Sequence, residues 1–236
     1  MRRWRAFLSA ERALLIALLL LGGALFAFFQ LASEVAEGDT MALDRFILVG
    51  LRMPGNPAIP RGPAWLPEAM TDLTAFGSPT GLLLIGGLVI CYLLLAGKMR
   101  TALFILAATA GGGLLGSLLK LVYARPRPTL VPHLADVTSA SFPSGHATDS
   151  AIVYLTLAAL LARTVETRAL RLYIIGAAIG LTLLIGSSRV YLGVHWPSDV
   201  VAGWTFGAAW AFACSVAYGR WVGRPGSSEP TVGHKI

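Results

Sequence analysis

The sequence predicts an all-α integral membrane bundle of six transmembrane helices, and three observations lead there. Hydrophobic residues fill 56% of the 236 positions and charged residues only 13%, against about 25% charged in an average soluble domain. Six apolar runs, at 12–32, 79–97, 101–120, 146–162, 170–188 and 198–219, approach the roughly 20 residues a helix needs to cross a bilayer. The cations flank these runs instead of gathering on a polar face, as the positive-inside rule arranges them.

The first run follows Met1-Arg2-Arg3-Trp4-Arg5. Its apolar part exceeds the roughly 7–15 residues of a signal-peptide core, and no Ala-x-Ala site follows, so an uncleaved anchor is expected. The 46 residues from Ser33 to Ser78 carry apolar spacing at Leu43, Phe46, Ile47 and Leu51, then at Trp65, Leu66, Met70, Leu73 and Phe76. That spacing predicts two short interfacial helices in the outer loop between spans one and two, with Pro54, Pro57, Pro60, Pro63 and Pro67 interrupting the stretch between them. The Leu121–Pro143 loop is polar and Pro-rich, and the Arg163–Arg171 loop is short and charged. Residues 220–236 are polar with Gly and Pro, which predicts a disordered tail, and positions 1–236 are read as one domain. Gly111 to Gly116 permit close helix packing, within the bundle or between subunits. Cys91 and Cys214, each inside an apolar run, give no disulfide framework.

A net charge of +7 and a pI near 9.9 would suit nucleic acid, but basic runs on a soluble face are missing and no nucleic-acid partner is expected. Twelve of the nineteen Lys and Arg fall on the side of the N-terminus, which predicts that both termini are cytoplasmic. The other seven are Arg45, Arg52, Arg61, Lys120, Arg125, Arg127 and Arg189. Four of them form the cationic cluster described next, which therefore faces outward.

Lys120 is placed at the outer end of the third run, Arg127 beyond it in KLVYARPRP, and Arg189 just past the fifth run. Each alone could merely snorkel to the headgroups. Pro143-Ser144-Gly145-His146 opens the fourth run. Ser144 and Gly145 there offer backbone N–H groups at the positive end of a helix, where phosphate oxygens bind, although Ser is also an ordinary helix cap. His195 and Asp199 lie one helical turn apart, with Pro197 suited to the first turn. Such a carboxylate accepts the Nδ1 proton and leaves Nε2 unprotonated and nucleophilic.

A transferring phosphoryl group needs fixed cations and N–H donors around its oxygens, and Lys120, Arg127 and Arg189 supply the cations. His195 is read as the nucleophile in line with the phosphorus. His146 is read as the acid that protonates the departing oxygen and the base that then activates water. No Cys, His or carboxylate cluster shows metal-ligand spacing, so no metal and no cofactor is expected. Asp149 either tunes His146 or satisfies a neighbouring hydroxyl. Arg125 reads as facing headgroups, Tyr191 and Trp196 as part of an interfacial aromatic belt, and His133 and His234 have no evident partner.

Lys120-x6-Arg127-Pro128, Pro143-Ser144-Gly145-His146 and Ser188-Arg189-x5-His195-x3-Asp199, complete and in order, resemble the three signature motifs of the type 2 phosphatidic acid phosphatase superfamily. The resemblance implies His195 as nucleophile, Asp199 as its partner, His146 as acid and base, and Lys120, Arg127, Ser144, Gly145 and Arg189 as the phosphate cradle. It also implies a bacterial inner membrane and a metal-independent phosphohistidine mechanism acting on a lipid phosphate. Undecaprenyl diphosphate leads the expected substrates, with Arg52 and Arg61 available to a second phosphate. Phosphatidylglycerol phosphate, phosphatidic acid and the phosphates of lipid A follow. A carrier or flippase holding an anionic headgroup in the same cationic pocket is the alternative. Vanadium haloperoxidases share such a cradle, but six spans argue against them. Nothing in the sequence decides the oligomeric state.

Overall fold

The computed structural model describes residues 2–222, with side chains from residue 11 onward apart from those of residues 13 and 222. The tail expected over 220–236 lies almost entirely outside the described residues. Among the described residues there are eight α-helices: α1 (Arg2–Glu37), α2 (Met41–Gly50), α3 (Leu66–Ala75), α4 (Pro79–Leu95), α5 (Met99–Tyr123), α6 (Gly145–Leu161), α7 (Arg168–Tyr191) and α8 (Pro197–Val222). Two short strands, β1 (Arg52–Met53) and β2 (Asn56–Pro60), pair antiparallel between α2 and α3.

The hairpin departs from the all-helical expectation. Pro54-Gly55 forms its turn, and Gly55 takes the left-handed φ of +81° that a Pro-Gly turn demands. The prolines that break helix here therefore build a defined turn. The two flanking helices are present where the apolar spacing placed them. In α2, Leu43, Phe46 and Ile47 are exposed while Asp44 and Leu48 are buried, so the apolar stripe looks outward and a carboxylate looks in.

Two of the long helices, α4 and α7, start at a side-chain cap. Ser78 caps α4 by accepting from Gly81 N at 3.1 Å, with Pro79 at the first helical position, and Thr167 caps α7 by accepting from Leu170 N. Four helices, α1, α5, α7 and α8, are long and apolar enough to cross a membrane, and α3 with α4, bent by 48°, can act as a fifth broken span. The chain is therefore a multi-pass membrane protein. At 17 residues α6 falls short of that length, against the expectation of a sixth ordinary span.

The reason lies in its position. α6 packs against α8, α7, α5 and α4, so protein rather than lipid surrounds it. Gly203 and Gly207 of α8 make the closest approach. A Cβ at Gly207 would lie 2.6 Å from Ala151 Cβ, and one at Gly203 would lie 2.9 Å from Ala147 Cβ, the small-residue spacing that lets helices touch backbone to backbone. The glycines of α5 serve the same bundle: a Cβ at Gly112 would meet Ile152 at 2.8 Å and the Trp210 ring at 2.7 Å.

Candidate active site

The nucleophile candidate sits in the tight connection between α7 and α8. α7 closes with Gly193 N–H donating to the Val190 carbonyl and Val194 N–H to the Arg189 carbonyl, at 3.0 and 3.2 Å. This double bond pattern requires a left-handed residue at Gly193, whose φ is +77°. Two residues later comes His195, 1% exposed, and Pro197 opens α8. The Arg189 side chain lies within the last turn of α7, not beyond its end as the sequence suggested, and Lys120 likewise lies within the last turn of α5.

The neighbours of His195 fix its tautomer. Nε2 lies 3.2 Å from Arg127 Nη1; a guanidinium has only donors, so Nε2 must carry the lone pair. Nδ1 faces Ser141 Oγ at 3.2 Å and Asp199 Oδ2 at 3.4 Å. Ser141 donates its hydroxyl to the same Asp199 oxygen, so it receives the Nδ1 proton on its own lone pair. Asp199 also accepts Trp196 N–H at 3.0 Å, and its Oδ1 accepts Arg125 Nη1 at 2.6 Å. Burial, opposed by the hydrogen bond to Asp199 and assisted by the positive charges of Arg127 and Lys120, lowers the His195 pKa to about 4.

The loop between α5 and α6 doubles back so that residues 139–141 run beside the motif cations. Lys120 Nζ donates to the Ala140 carbonyl at 2.8 Å, Arg127 Nε to the Ser139 carbonyl at 2.8 Å, and Ser141 N–H to the Arg125 carbonyl at 2.9 Å. Arg127 Nη1 also reaches the Val194 carbonyl at 2.7 Å, which binds this loop to the His195 turn. Arg189 donates from Nη1 to Thr74 Oγ1 of α3 at 2.9 Å, while its buried Nε has no partner.

Ser144 contributes differently from the expectation. Its N–H is committed to the Asp199 carbonyl at 3.0 Å, which staples the start of α6 to the first turn of α8. Its hydroxyl is buried and without a partner. The first N–H groups of α6, from Gly145 on, lack acceptors within the helix. Gly145 adjoins Lys120, since a Cβ there would stand 3.4 Å from Lys120 Cε and 3.8 Å from Asp149 Oδ2. His146, half-buried at the helix start, is within electrostatic reach of Arg189, His195, Lys120 and Arg127.

The charge balance decides what the site lacks. Among the described residues, the ion pairs join Arg125 to Asp44 and Asp199, and His195 to Asp199. Lys120, Arg127 and Arg189 donate to carbonyls, hydroxyls and a ring nitrogen, with no carboxylate at ion-pair distance. Three converging cations without an anion, together with the orphaned Arg189 Nε and Ser144 Oγ, suit a polyanionic oxygen group. No group of three or more His, Cys, Asp or Glu able to hold a metal ion occurs among the described residues.

Several sequence expectations need correction. Arg125 does not face headgroups: it is 8% exposed, spans Asp199 and Asp44, and lies 5.5 Å from the Trp196 ring centre. Tyr191 and Trp196 are buried, not part of an outer belt; the Trp196 Nε1–H donates to the Pro126 carbonyl and the Tyr191 hydroxyl to the Arg61 carbonyl. Arg52 is buried, with Nη1 on the Tyr191 carbonyl at 2.9 Å and Nη2 without a partner. His133 pairs with the Pro128 carbonyl at 2.7 Å and shapes its own loop. Ser141 went unnoticed, as did Asp44 and Thr74. The single acid of a mostly apolar α2, next to Arg45, was the available signal for Asp44.

An apolar groove of about 360 Å³ opens between α4, α5 and α6, lined by Leu82, Leu83, Gly86, Gly113, Asp149 and Ile152 among others. It brings lipid-compatible surface to Asp149, beside Lys120.

Fold and site together define a multi-pass membrane protein with a buried histidine beside cations that have no carboxylate partner. A profile described as the PAP2 superfamily matches residues 101–222, and the chain belongs to that superfamily. It is 35% identical over 146 residues to phosphatidylglycerophosphatase B of Bacillus subtilis, covering 61% of this chain and 70% of that one. It is 39% identical over 102 residues to an undecaprenyl-diphosphatase of Sulfolobus acidocaldarius, covering 40% of this chain and 44% of that one. A crystal structure of a transmembrane PAP2-type phosphatidylglycerolphosphate phosphatase from Bacillus subtilis superposes with a TM-score of 0.75 at 27% identity, over 86% of this chain and 98% of that one.

Proposed function

We propose that this protein is a membrane lipid phosphatase that works through a phosphohistidine and without a metal. The observation that carries the reading is the fixed tautomer of His195, whose lone pair at Nε2 faces Arg127, with the positive charge of Lys120 also acting on the ring. Nε2 attacks phosphorus, and the bond from phosphorus to the lipid oxygen breaks. His146 gives that oxygen a proton. Asp199 and Ser141 receive the Nδ1–H and balance the positive charge that the ring acquires. His146 then takes a proton from water, the water oxygen attacks phosphorus, the N–P bond breaks, and inorganic phosphate leaves with His195 neutral again.

Lys120, Arg127 and Arg189 hold the non-bridging oxygens, helped by the N–H groups at the start of α6 and the Ser144 hydroxyl. The groove ending at Asp149 supports a substrate whose tail stays in lipid. Phosphatidylglycerol phosphate leads the substrates, because the similarity to proteins acting on it runs over the larger share of both chains. Undecaprenyl diphosphate follows, since the similarity to a protein named for it runs over a smaller share of both chains. The reading includes six spans with α6 as the protein-enclosed one and, as the resemblance implies, a bacterial inner membrane; the cation distribution supports cytoplasmic termini and a site facing the periplasm.

The test is phosphate release by detergent-purified protein from phosphatidylglycerol phosphate, undecaprenyl diphosphate, phosphatidic acid and lipid A, in EDTA. Activity on at least one lipid, lost by roughly 10³-fold or more in His195→Ala, is expected. Hydrolysis retained by His195→Ala, or abolished by EDTA alone, overturns the mechanism. Binding without hydrolysis of any lipid favours the carrier reading.

A further inference from the structure

We propose that Asp44 and Arg125 are positioning residues for the nucleophile, forming with Asp199 a buried relay from the outer connection to His195. The inference rests on the phosphohistidine reading and adds to it two residues outside the three motifs' cradle and histidines. Arg125 shares its guanidinium between two carboxylates: Nη1 lies 2.6 Å from Asp199 Oδ1 and Nη2 lies 2.8 Å from Asp44 Oδ2. All three side chains are buried, at 8%, 0% and 1% exposed for Arg125, Asp199 and Asp44.

Asp44 is itself saturated. Its Oδ1 accepts Ser198 N–H at 2.9 Å, and its Oδ2 accepts the Ser198 hydroxyl at 2.6 Å and the Thr40 hydroxyl at 3.1 Å. Ser198 also accepts from Arg125 Nη1 at 2.8 Å. A residue on α2 thus caps the first turn of α8 from 154 positions away and grips the arginine that grips Asp199.

The charges give this arrangement its purpose. A buried carboxylate paired only with Arg125 would be neutralised and would attract the imidazolium weakly. Asp44 takes half of the guanidinium, so the three groups together keep one net negative charge. That charge meets the positive charge that forms on His195 when Nε2 bonds to phosphorus. Arg125 also orients the Asp199 plane, since with Oδ1 engaged only Oδ2 is left for Ser141 and His195. The cradle of Lys120, Arg127 and Arg189 makes none of these contacts, so the relay should affect the chemical step and not the holding of phosphate.

The experiment compares Asp44→Asn and Arg125→Lys with wild type, reading kcat and KM on the best lipid of the panel and the inhibition constant of inorganic vanadate. The expected result is kcat lower by about 10–100-fold, with KM and the vanadate constant within about twofold. Unchanged kcat overturns the proposal, and so does a loss of vanadate binding that parallels the loss of kcat, because the residues would then merely hold the site together. Should neither variant be recovered folded, Ser198→Ala removes the bridging hydroxyl while keeping every charge; a kcat drop of about 3–10-fold supports the relay and no drop overturns it. A wild type inactive on every lipid defeats the functional reading itself, an outcome distinct from active wild type with active variants.

Discussion

Ser141 Oγ stands 3.2 Å from Nδ1 of His195, nearer than the 3.4 Å that separates this nitrogen from Asp199 Oδ2. The histidine is therefore oriented through a hydroxyl that leans on the carboxylate, more than by the carboxylate alone. Ser141→Ala should lower kcat by about 10-fold while leaving KM nearly unchanged. Steady-state phosphate release checks this, and a full-rate Ser141→Ala enzyme would show that Asp199 suffices.

The acid limb of activity should lie well below the usual histidine range. His195 is lowered to about 4, chiefly by burial, from an ordinary value near 6.5, so the ring stays neutral and nucleophilic as pH falls through 6 and 5. Arg127 adds to the lowering, both as a charge and as a donor to Nε2 of the neutral ring. Arg127→Met should shift the His195 limb of kcat/KM upward and raise KM by about 10-fold or more. A pH profile of both proteins tests the sign; a downward shift refutes the assignment.

Gly193 holds the turn between Arg189 and His195. In Gly193→Ala the new Cβ would meet a left-handed backbone and lie 2.8 Å from Arg52 Nη2 and Val131 Cγ2. A destabilisation of about 2–4 kcal/mol is expected, seen as a lower Tm in detergent. A Tm equal to wild type would mean that the turn relaxes freely.

Thr74 reaches from α3 to Arg189 Nη1. Thr74→Val keeps the shape and leaves that donor unpaired, so the arginine should wander from the phosphate position. KM is expected to rise about 3–10-fold with a stability loss of about 1–3 kcal/mol, because a buried donor loses its partner, and vanadate inhibition should weaken in step.

How much of this was readable from the chain differs by residue. His146, His195, Asp199 and the cradle cations announce themselves through spacing, because each motif is local and its chemistry depends on neighbours within a few positions. Arg125 was misread because its meaning lies in Asp44, 81 positions upstream, and a cation before proline near a helix end has many bland explanations. Ser141 belongs to a run of small residues, and only the fold sets it across from a histidine 54 positions later. Tyr191 and Trp196 carry the composition of an interfacial belt, yet the outer connection packs over them through Leu48 and Arg52. The 33–78 connection braces the site from behind through Asp44, Arg52 and Thr74.

The enclosure of α6 relieves it of the length that a lipid-facing span needs. Ten of its seventeen residues are buried, Thr148, Ser150 and Thr156 among them, so it follows the grammar of a water-soluble interior while neighbouring helices face the lipid. A helix freed from contact with hydrocarbon need not be long or uniformly greasy. It can spend its first turn on a histidine, and the helix too short to count as a span by itself carries one of the two histidines of the proposed site.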